Sequence, residues 1–152
     1  MLHKLAALAM LGILALIVNP AFAQKCETTI DSTDQIRYST DRVEVPKSCS
    51  KFTVHLTHSG KLPKASMGHN WVLTTAENAQ GVATDGMSAG LENNYLKPND
   101  ERVIAATPLI GAGEKTSVTF PVSALKEGQN YAFFCSFPGH IATMKGTVTL
   151  VQ

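Results

Sequence analysis

The 152-residue sequence has little charge, and its positive and negative charges nearly balance. Asp, Glu, Lys and Arg make up 16% of the residues, the formal net charge is +1, and no block of like charge occurs. A nucleic-acid surface or a patch for anionic membranes needs a concentrated basic region, so both kinds of partner are disfavoured. Internal repeats, low-complexity tracts and interdomain linkers are also missing from the sequence. We therefore expect one globular domain.

Long apolar runs are scarce as well, and the one that occurs lies at the N-terminus, from Leu5 to Val18. It is shorter than the roughly 20 residues that a transmembrane helix requires, so a membrane anchor is the less favoured interpretation. Asn19-Pro20 follows, and then Ala21-Phe22-Ala23, an arrangement typical of a secretory signal with a small residue at its cleavage site. We predict a signal peptide over residues 1–23 and a mature domain over residues 24–152.

Cysteine is rare, and the number of cysteines is odd. Cys26 lies just inside the expected mature chain, and Cys49 lies in a polar turn between two strand-like segments. These two are plausible disulfide partners in an oxidising compartment, although a bridge from either one to Cys135 is an open alternative. If Cys26 and Cys49 pair, Cys135 is a free thiol, and metal binding would protect it from oxidation.

The mature chain alternates apolar and polar residues with a period of two rather than 3.6. The alternation is clearest in 52–56, 118–122 and 148–150, and half-buried β-strands have this pattern. Shorter segments raise the expected number of strands to seven or eight: 28–32, 42–45, 70–75, 102–106 and 129–135. We predict an all-β Greek-key sandwich or barrel with antiparallel strands. The segment 76–100, rich in Gly, Asn and Ala, is expected to be a loop excursion carrying a short helix.

A ten-residue segment near the C-terminus carries three side chains with affinity for copper. Cys135 offers a thiolate, His140 an imidazole and Met144 a thioether. Two histidines and one cysteine, with a long axial methionine contact, form the trigonal site of blue copper proteins. Each residue also has an ordinary interpretation, as a buried thiol, a turn histidine and a core methionine. Because all three occur together at this spacing, we favour a copper site.

Such a site needs a second histidine, and His69 is the leading candidate. Gly68 before it permits a close approach of the backbone, and Asn70 after it can hydrogen bond near a metal. An ordinary turn histidine is the alternative for His69. His55 falls on the polar face of its strand and is expected at the surface. His58 is in phase with the apolar residues, so we expect it to be buried with a hydrogen-bond partner.

Two segments together, Met67–Trp71 and Cys135–Met144, resemble the cupredoxin family of blue copper proteins. The similarity also covers the early cysteine pair and three further segments, residues 81–87, 94–98 and 144–147. The four residues between Cys135 and His140 are more than plastocyanin-like members have, so the match is specific within the family.

The resemblance implies one bound copper and a complete ligand set. His69, Cys135 and His140 would be the equatorial ligands, and Met144 would be the long axial ligand. Gly68 would offer its carbonyl oxygen as a weak second axial contact.

The resemblance also assigns supporting residues. Asn70 would hydrogen bond toward the Cys135 loop, a Cys26–Cys49 disulfide would hold the N-terminal strand, and His58 would be able to couple its protonation to the site. Ala106 departs from many members, which have a surface histidine there. The surface around His140 would be an apolar partner patch with four further members: Leu62, Met67, Pro138 and Gly139.

The function implied by the resemblance is that of a soluble periplasmic electron carrier, not an enzyme. Its copper would cycle between Cu(I) and Cu(II), and electrons would pass to and from redox proteins such as c-type cytochromes and copper enzymes through transient apolar docking. Nucleic acid and a membrane anchor are not expected. Three alternatives have a chemical basis: a copper enzyme would need an open coordination position, a delivery protein exchangeable sites, and a zinc protein a better fourth ligand than methionine.

Overall fold

The computed structural model describes residues 25–152, so the predicted signal peptide over residues 1–23 lies outside the described residues. Nine strands occur within residues 25–152: β1 (Glu27–Thr33), β2 (Arg37–Tyr38), β3 (Arg42–Pro46), β4 (Lys51–His58), β5 (Val72–Thr75), β6 (Ala105–Ala106), β7 (Lys115–Pro121), β8 (Tyr131–Phe134) and β9 (Lys145–Val151). Two helices accompany them, α1 (Lys64–Met67) and α2 (Ala79–Gly86), together with short 3₁₀ turns at 87–89, 91–93, 122–124 and 140–142. The all-β class that the alternation predicted is therefore present.

The strands form two sheets, in the orders β2-β1-β4-β7 and β3-β9-β8-β5-β6. Most neighbouring strands are antiparallel, but β1 pairs with β4 in parallel and β3 pairs with β9 in parallel. The predicted antiparallel pairing is wrong for these two pairs. Alternation determines which face of a strand is buried, whereas the partner and its direction depend on connections that run through other strands.

Two further details differ from the expected strands. The strand expected over 102–106 is reduced to β6, because Arg102 is held outside the sheet by ion pairs to Asp85 (2.6 Å) and Asp100 (2.7 Å). β2 has two residues, which is too short to produce an alternating pattern. The expected excursion over 76–100 does carry a short helix, α2.

The core lies between the two sheets and consists of the inward-facing residues of each strand. β4 buries every second residue, and its register with β7 places Phe52 opposite Phe120. Trp71 is fully buried and stacks on Phe133, with ring centroids 5.7 Å apart. Truncating a core ring of this size costs about 3–5 kcal/mol, so this packing fixes the strand ends from which the functional residues project.

A disulfide joins Cys26 to Cys49, as the favoured pairing predicted. It links the start of β1 to the turn before β4 and excludes both alternative bridges to Cys135, which is a buried free thiol. The two cysteines are 23 positions apart. A loop of this length corresponds to roughly 3 kcal/mol of stabilisation in the chain-entropy description.

The helical excursion packs beside the end of β8. Val82 and Ala83 of α2 form a second apolar cluster with Val72 of β5 and Phe134 of β8. Phe134 immediately precedes Cys135, so the excursion covers one side of the loop between β8 and β9. No helix within residues 25–152 combines the length and the apolar character needed to cross a bilayer.

Candidate metal centre

Three of the four side chains predicted to bind metal, those of His69, Cys135 and His140, bring their donor atoms within 4.8 Å of one another. His69 follows α1, Cys135 follows β8, and His140 and Met144 lie in the loop between β8 and β9. The backbone of His69 is fixed by two hydrogen bonds with Ile110, N–H to carbonyl in each direction, at 3.0 and 2.8 Å. All four predicted ligand residues are buried.

The donor atoms have the spacing that a trigonal metal site needs. The Sγ atom of Cys135 lies 3.9 Å from Nδ1 of His69 and 3.6 Å from Nδ1 of His140. A metal about 2.0–2.1 Å from nitrogen and about 2.3 Å from sulfur, with ligands about 120° apart, requires a separation of about 3.8 Å. Within residues 25–152, this trio is the one group of at least three His, Cys, Asp or Glu donors lying within 4.8 Å of one another. The donor set fits copper.

A hydrogen bond sets the tautomer of His69. Its Nε2 lies 2.9 Å from the carbonyl oxygen of Thr33, which can only accept, so Nε2 carries the proton. Nδ1 therefore presents its lone pair toward Cys135. Burial, assisted by the nearby His140 and His58, lowers the pKa of His69 to about 4, and burial likewise lowers the pKa of His140 to about 4. Both imidazoles are thus neutral at pH 7 and able to bind metal.

Cys135 is held in a dry environment. Burial raises the pKa of its thiol to about 12, although backbone N–H groups of Asn70 and Phe137 hydrogen bond to the sulfur and act in the opposite direction. The metal-free protein therefore holds a protonated thiol at neutral pH, and a metal must displace that proton to bind. The same two N–H groups would stabilise the thiolate that results.

The loop between β8 and β9, residues 135–144 and hereafter the metal loop, is tied by backbone hydrogen bonds between the predicted ligand residues. The Cys135 N–H donates to the Met144 carbonyl (3.0 Å), and the Met144 N–H donates to the His140 carbonyl (2.8 Å). Gly139 has a φ of +82°, a conformation that favours glycine and lets the chain turn back before His140.

Gly68 is required for space rather than for conformation. Its φ is an ordinary −68°, but a Cβ there would lie 2.5 Å from the Lys64 carbonyl oxygen. Its own carbonyl oxygen lies 3.8 Å from the Sγ atom of Cys135. The glycine thus lets α1 approach the site closely and brings a carbonyl group to it.

Asn70 joins the two halves of the site. Its side-chain N–H donates to the Ser136 hydroxyl (2.8 Å), and its side-chain carbonyl accepts the Ser136 backbone N–H (2.9 Å). Asn70, which follows His69, thus shares two hydrogen bonds with Ser136, which follows Cys135. Ser136 offered no signal of its own in the sequence beyond its position in the loop.

The two remaining mature histidines lie as their strand phase predicted. His58 is buried, accepts the Gly60 N–H (3.1 Å) and stacks on the His69 ring at a centroid distance of 4.7 Å. The side chain of His55 is 42% exposed and lies 3.4 Å from Glu27.

The residues proposed for the partner patch differ in their exposure. Leu62 is 41% exposed, and Pro138 and Gly139 are exposed, whereas Met67 is half-buried. His140 is only 4% exposed, so a small part of its imidazole reaches the surface.

A pocket beside this patch is bordered by Met87, a residue that the sequence did not assign to the patch. The pocket, about 150 Å³, lies between α2 and the metal loop, and Met87 on its rim is 49% exposed. A methionine in a polar excursion was the available signal for an apolar surface there.

Comparison with known proteins identifies the family. The family model described as copper binding proteins, plastocyanin/azurin family, matches residues 24–151. An azurin from Pseudomonas aeruginosa is 58% identical over 150 residues, covering 99% of both chains, and one from Pseudomonas fluorescens biotype A is 63% identical over 126 residues, covering 83% of this chain and 98% of that protein. The solved structure of an azurin (Az-iso2) from Methylomonas sp. strain J is 51% identical and has a TM-score of 0.82. The match covers 85% of this chain and 100% of that one.

These matches confirm the resemblance and the fold class predicted from the sequence, and they agree with a site for one copper. The chain belongs to the plastocyanin/azurin family of copper-binding proteins.

Proposed function

We propose that this protein carries single electrons on one blue copper bound by His69, Cys135, His140 and, axially, Met144, with the Gly68 carbonyl as a weak second axial contact. The observation that carries the proposal is the buried trio of one thiol and two imidazoles whose donor atoms lie within 4.8 Å of one another. Copper in such a site alternates between Cu(I) and Cu(II) and so accepts or releases one electron.

The protein contributes rigidity to this reaction. Thr33 orients the His69 ring, and Asn70, which follows His69, accepts a hydrogen bond from the backbone N–H of Ser136, which follows Cys135. Ligands that are held by the fold cannot rearrange much when the charge of the site changes, and a small rearrangement favours fast electron transfer. Burial excludes water and disfavours added positive charge, which raises the reduction potential.

The apolar patch around His140 is the proposed route for electrons. We infer that the imidazole edge of His140 lies in a patch with Leu62, Pro138 and Gly139, which are exposed, and with Met67, which is half-buried. A small apolar surface suits a weak redox encounter that forms and separates quickly. We infer transient partners such as c-type cytochromes and copper enzymes, and neither nucleic acid nor a membrane anchor, since the overall charge is balanced.

The proposed compartment is the periplasm. Removal of a signal peptide over residues 1–23 would leave one mature domain, residues 24–152. The Cys26–Cys49 disulfide supports an oxidising compartment, because such bonds rarely persist in a reducing cytosol. Carriage of electrons, rather than turnover of a substrate, is the activity we propose there.

The visible spectrum of the purified mature protein tests the proposal. One equivalent of Cu(II) should produce a strong blue thiolate band that a reductant bleaches and an oxidant restores. Cys135→Ser is the matched control and should stay colourless with copper. A colourless parent protein would refute the ligand assignment, and a parent that binds zinc but shows no redox change would favour a zinc protein.

A further inference from the structure

A short segment at the end of the helical excursion has an unusual backbone. Asn94 and Tyr95 are consecutive residues with positive φ, +54° and +51°. This left-handed conformation is unfavourable for residues other than glycine, and asparagine tolerates it best. Two local hydrogen bonds maintain it, from the Asn94 N–H to Leu91 and from the Tyr95 N–H to Gly90, both 2.9 Å.

The turned backbone aims one carbonyl group at the metal centre. The Asn94 carbonyl oxygen accepts the Ser136 hydroxyl at 2.7 Å and the Asn70 side-chain N–H at 3.3 Å. Asn70 and Ser136 are themselves bonded to each other twice. The three residues thus form a closed network, in which one member follows His69 and another follows Cys135.

The same segment is anchored on its other side. The Asn94 side-chain oxygen accepts the Leu109 N–H at 2.8 Å. A Cβ on Gly86 of α2 would collide with the Tyr95 carbonyl, so the helix end is pressed against this segment. The position of the carbonyl is therefore imposed by α2 and by the chain near Leu109 rather than by the metal loop.

Tyr95 extends the contact to a third predicted ligand. Its ring meets Phe137 edge-on, with centroids 5.2 Å apart, and Phe137 stacks on His140 at 4.6 Å. The segment therefore contacts both the peptide after Cys135 and the ring that covers His140.

We propose that Asn94 is a positioning residue of the metal centre: its left-handed backbone places one carbonyl oxygen on Ser136 and Asn70, and this holds the Cys135 peptide against the segment that carries His69. The inference rests on the proposed function for its role in electron transfer. The position of the Asn94 carbonyl on Ser136 and Asn70 depends on the protein alone and can be tested without metal.

Three substitutions at Asn94 separate its backbone from its side chain. Asn94→Val disfavours the left-handed conformation, because a β-branched residue tolerates it poorly. Asn94→Gly keeps that conformation and loses only the side-chain bond to Leu109, and Asn94→Asp keeps both features. Asn99→Val is the matched control, since Asn99 is exposed and has a φ of +58° but is absent from the network.

Hydrogen exchange in the metal-free protein is the first measurement. The probe is the Ser136 amide, which donates to Asn70, and the amides of β4 report global opening. Asn94→Val should speed Ser136 exchange about tenfold relative to β4, a factor that corresponds to the strain of one left-handed residue. Asn94→Asp and Asn99→Val should leave this ratio near that of the parent, and Asn94→Gly should change it less than Asn94→Val does, because glycine keeps the left-handed backbone and loses only the bond to Leu109. An unchanged ratio in Asn94→Val, or an equal change in Asn99→Val, would overturn the proposal.

Two further measurements keep the test decisive. Ser136→Ala removes one donor without straining the backbone, so it should increase exchange at the same amide even if Asn94→Val does not fold, and no increase would count against the network. In the copper-loaded protein, Asn94→Val should shift the thiolate band, and Asn94→Asp should restore it. A blue parent whose band is unmoved by Asn94→Val would overturn the positioning role. A colourless parent would instead refute the proposed function, and exchange alone would then decide the placement of Asn94.

Discussion

Acid should destabilise the metal-free protein mainly through two buried imidazoles. Burial lowers the pKa values of His69 and His140 to about 4, whereas a histidine in the unfolded chain has a pKa of about 6.5. Between these values the unfolded chain binds more protons than the folded one. The free energy of unfolding that the two neutral imidazoles contribute is therefore fully present above about pH 6.5 and is lost as the pH falls toward 4.

The size of the effect follows from the shifts. The pKa of each imidazole is shifted by about 2.5 units, and one unit corresponds to about 1.4 kcal/mol, so a full titration is worth about 3.5 kcal/mol for each histidine. At pH 4 the folded imidazoles are only half protonated, so each loses about 3 kcal/mol between pH 7 and pH 4, and His69 and His140 together lose about 6 kcal/mol. This is a large part of the roughly 5–15 kcal/mol by which domains are stable, so partial unfolding near pH 4 is expected.

Urea unfolding at pH 7, 5.5 and 4 measures this loss, with the single buried tryptophan, Trp71, as the fluorescent probe. His140→Gln should reduce the pH dependence by about half, because one of the two imidazoles no longer titrates. Cys135→Ser should keep it, since burial raises the pKa of that thiol to about 12, far above this window. A parent stability that does not change between pH 7 and 4, or a His140→Gln variant with the full loss, would refute the reasoning.

Three other predictions concern the metal and the disulfide. Cys135→Ser should abolish the blue colour but leave the circular dichroism of the fold intact, since the two sheets hold most of the core; a coloured variant would contradict this. Met144→Leu should keep copper bound but raise the reduction potential in voltammetry, by about 60 mV for each tenfold loss of preference for Cu(II), whereas an unchanged or lower potential would reject Met144 as a tuning ligand. Replacing Cys26 and Cys49 with alanine should lower the free energy of unfolding by about 3 kcal/mol in urea, and a loss under about 1 kcal/mol would argue against loop closure as the source.

Metal binding should also release protons in a defined number. At pH 7 the thiol of Cys135 is protonated and the imidazoles of His69 and His140 are neutral, as their pKa values of about 12 and about 4 require. Calorimetry in buffers of different ionisation enthalpy should therefore give about one proton released per metal ion. A release of none or of two would contradict these protonation states.

Much of the architecture could be predicted from local pattern. Alternation in β4, β7 and β9 predicted half-buried strands, and the polar turn around Cys49 predicted one partner of the disulfide. The pattern did not predict that β1 and β3 have parallel partners, since parallel pairing joins strands that are distant in the chain. Nor could it identify β2, because two residues are too few to show an alternation.

The sequence by itself determined the kinds of donor atom at the metal centre and the order in which the chain presents them. Thiol, imidazole and thioether are properties of single residues, and three of the predicted ligands lie in one loop. Only the tertiary structure decided how these donors are held. The Thr33 carbonyl that orients His69 lies 36 positions away, and the Asn94 carbonyl that contacts Ser136 lies 42 positions away. Both are backbone groups, which every residue possesses, so no side-chain pattern distinguishes them until the fold brings them to the site.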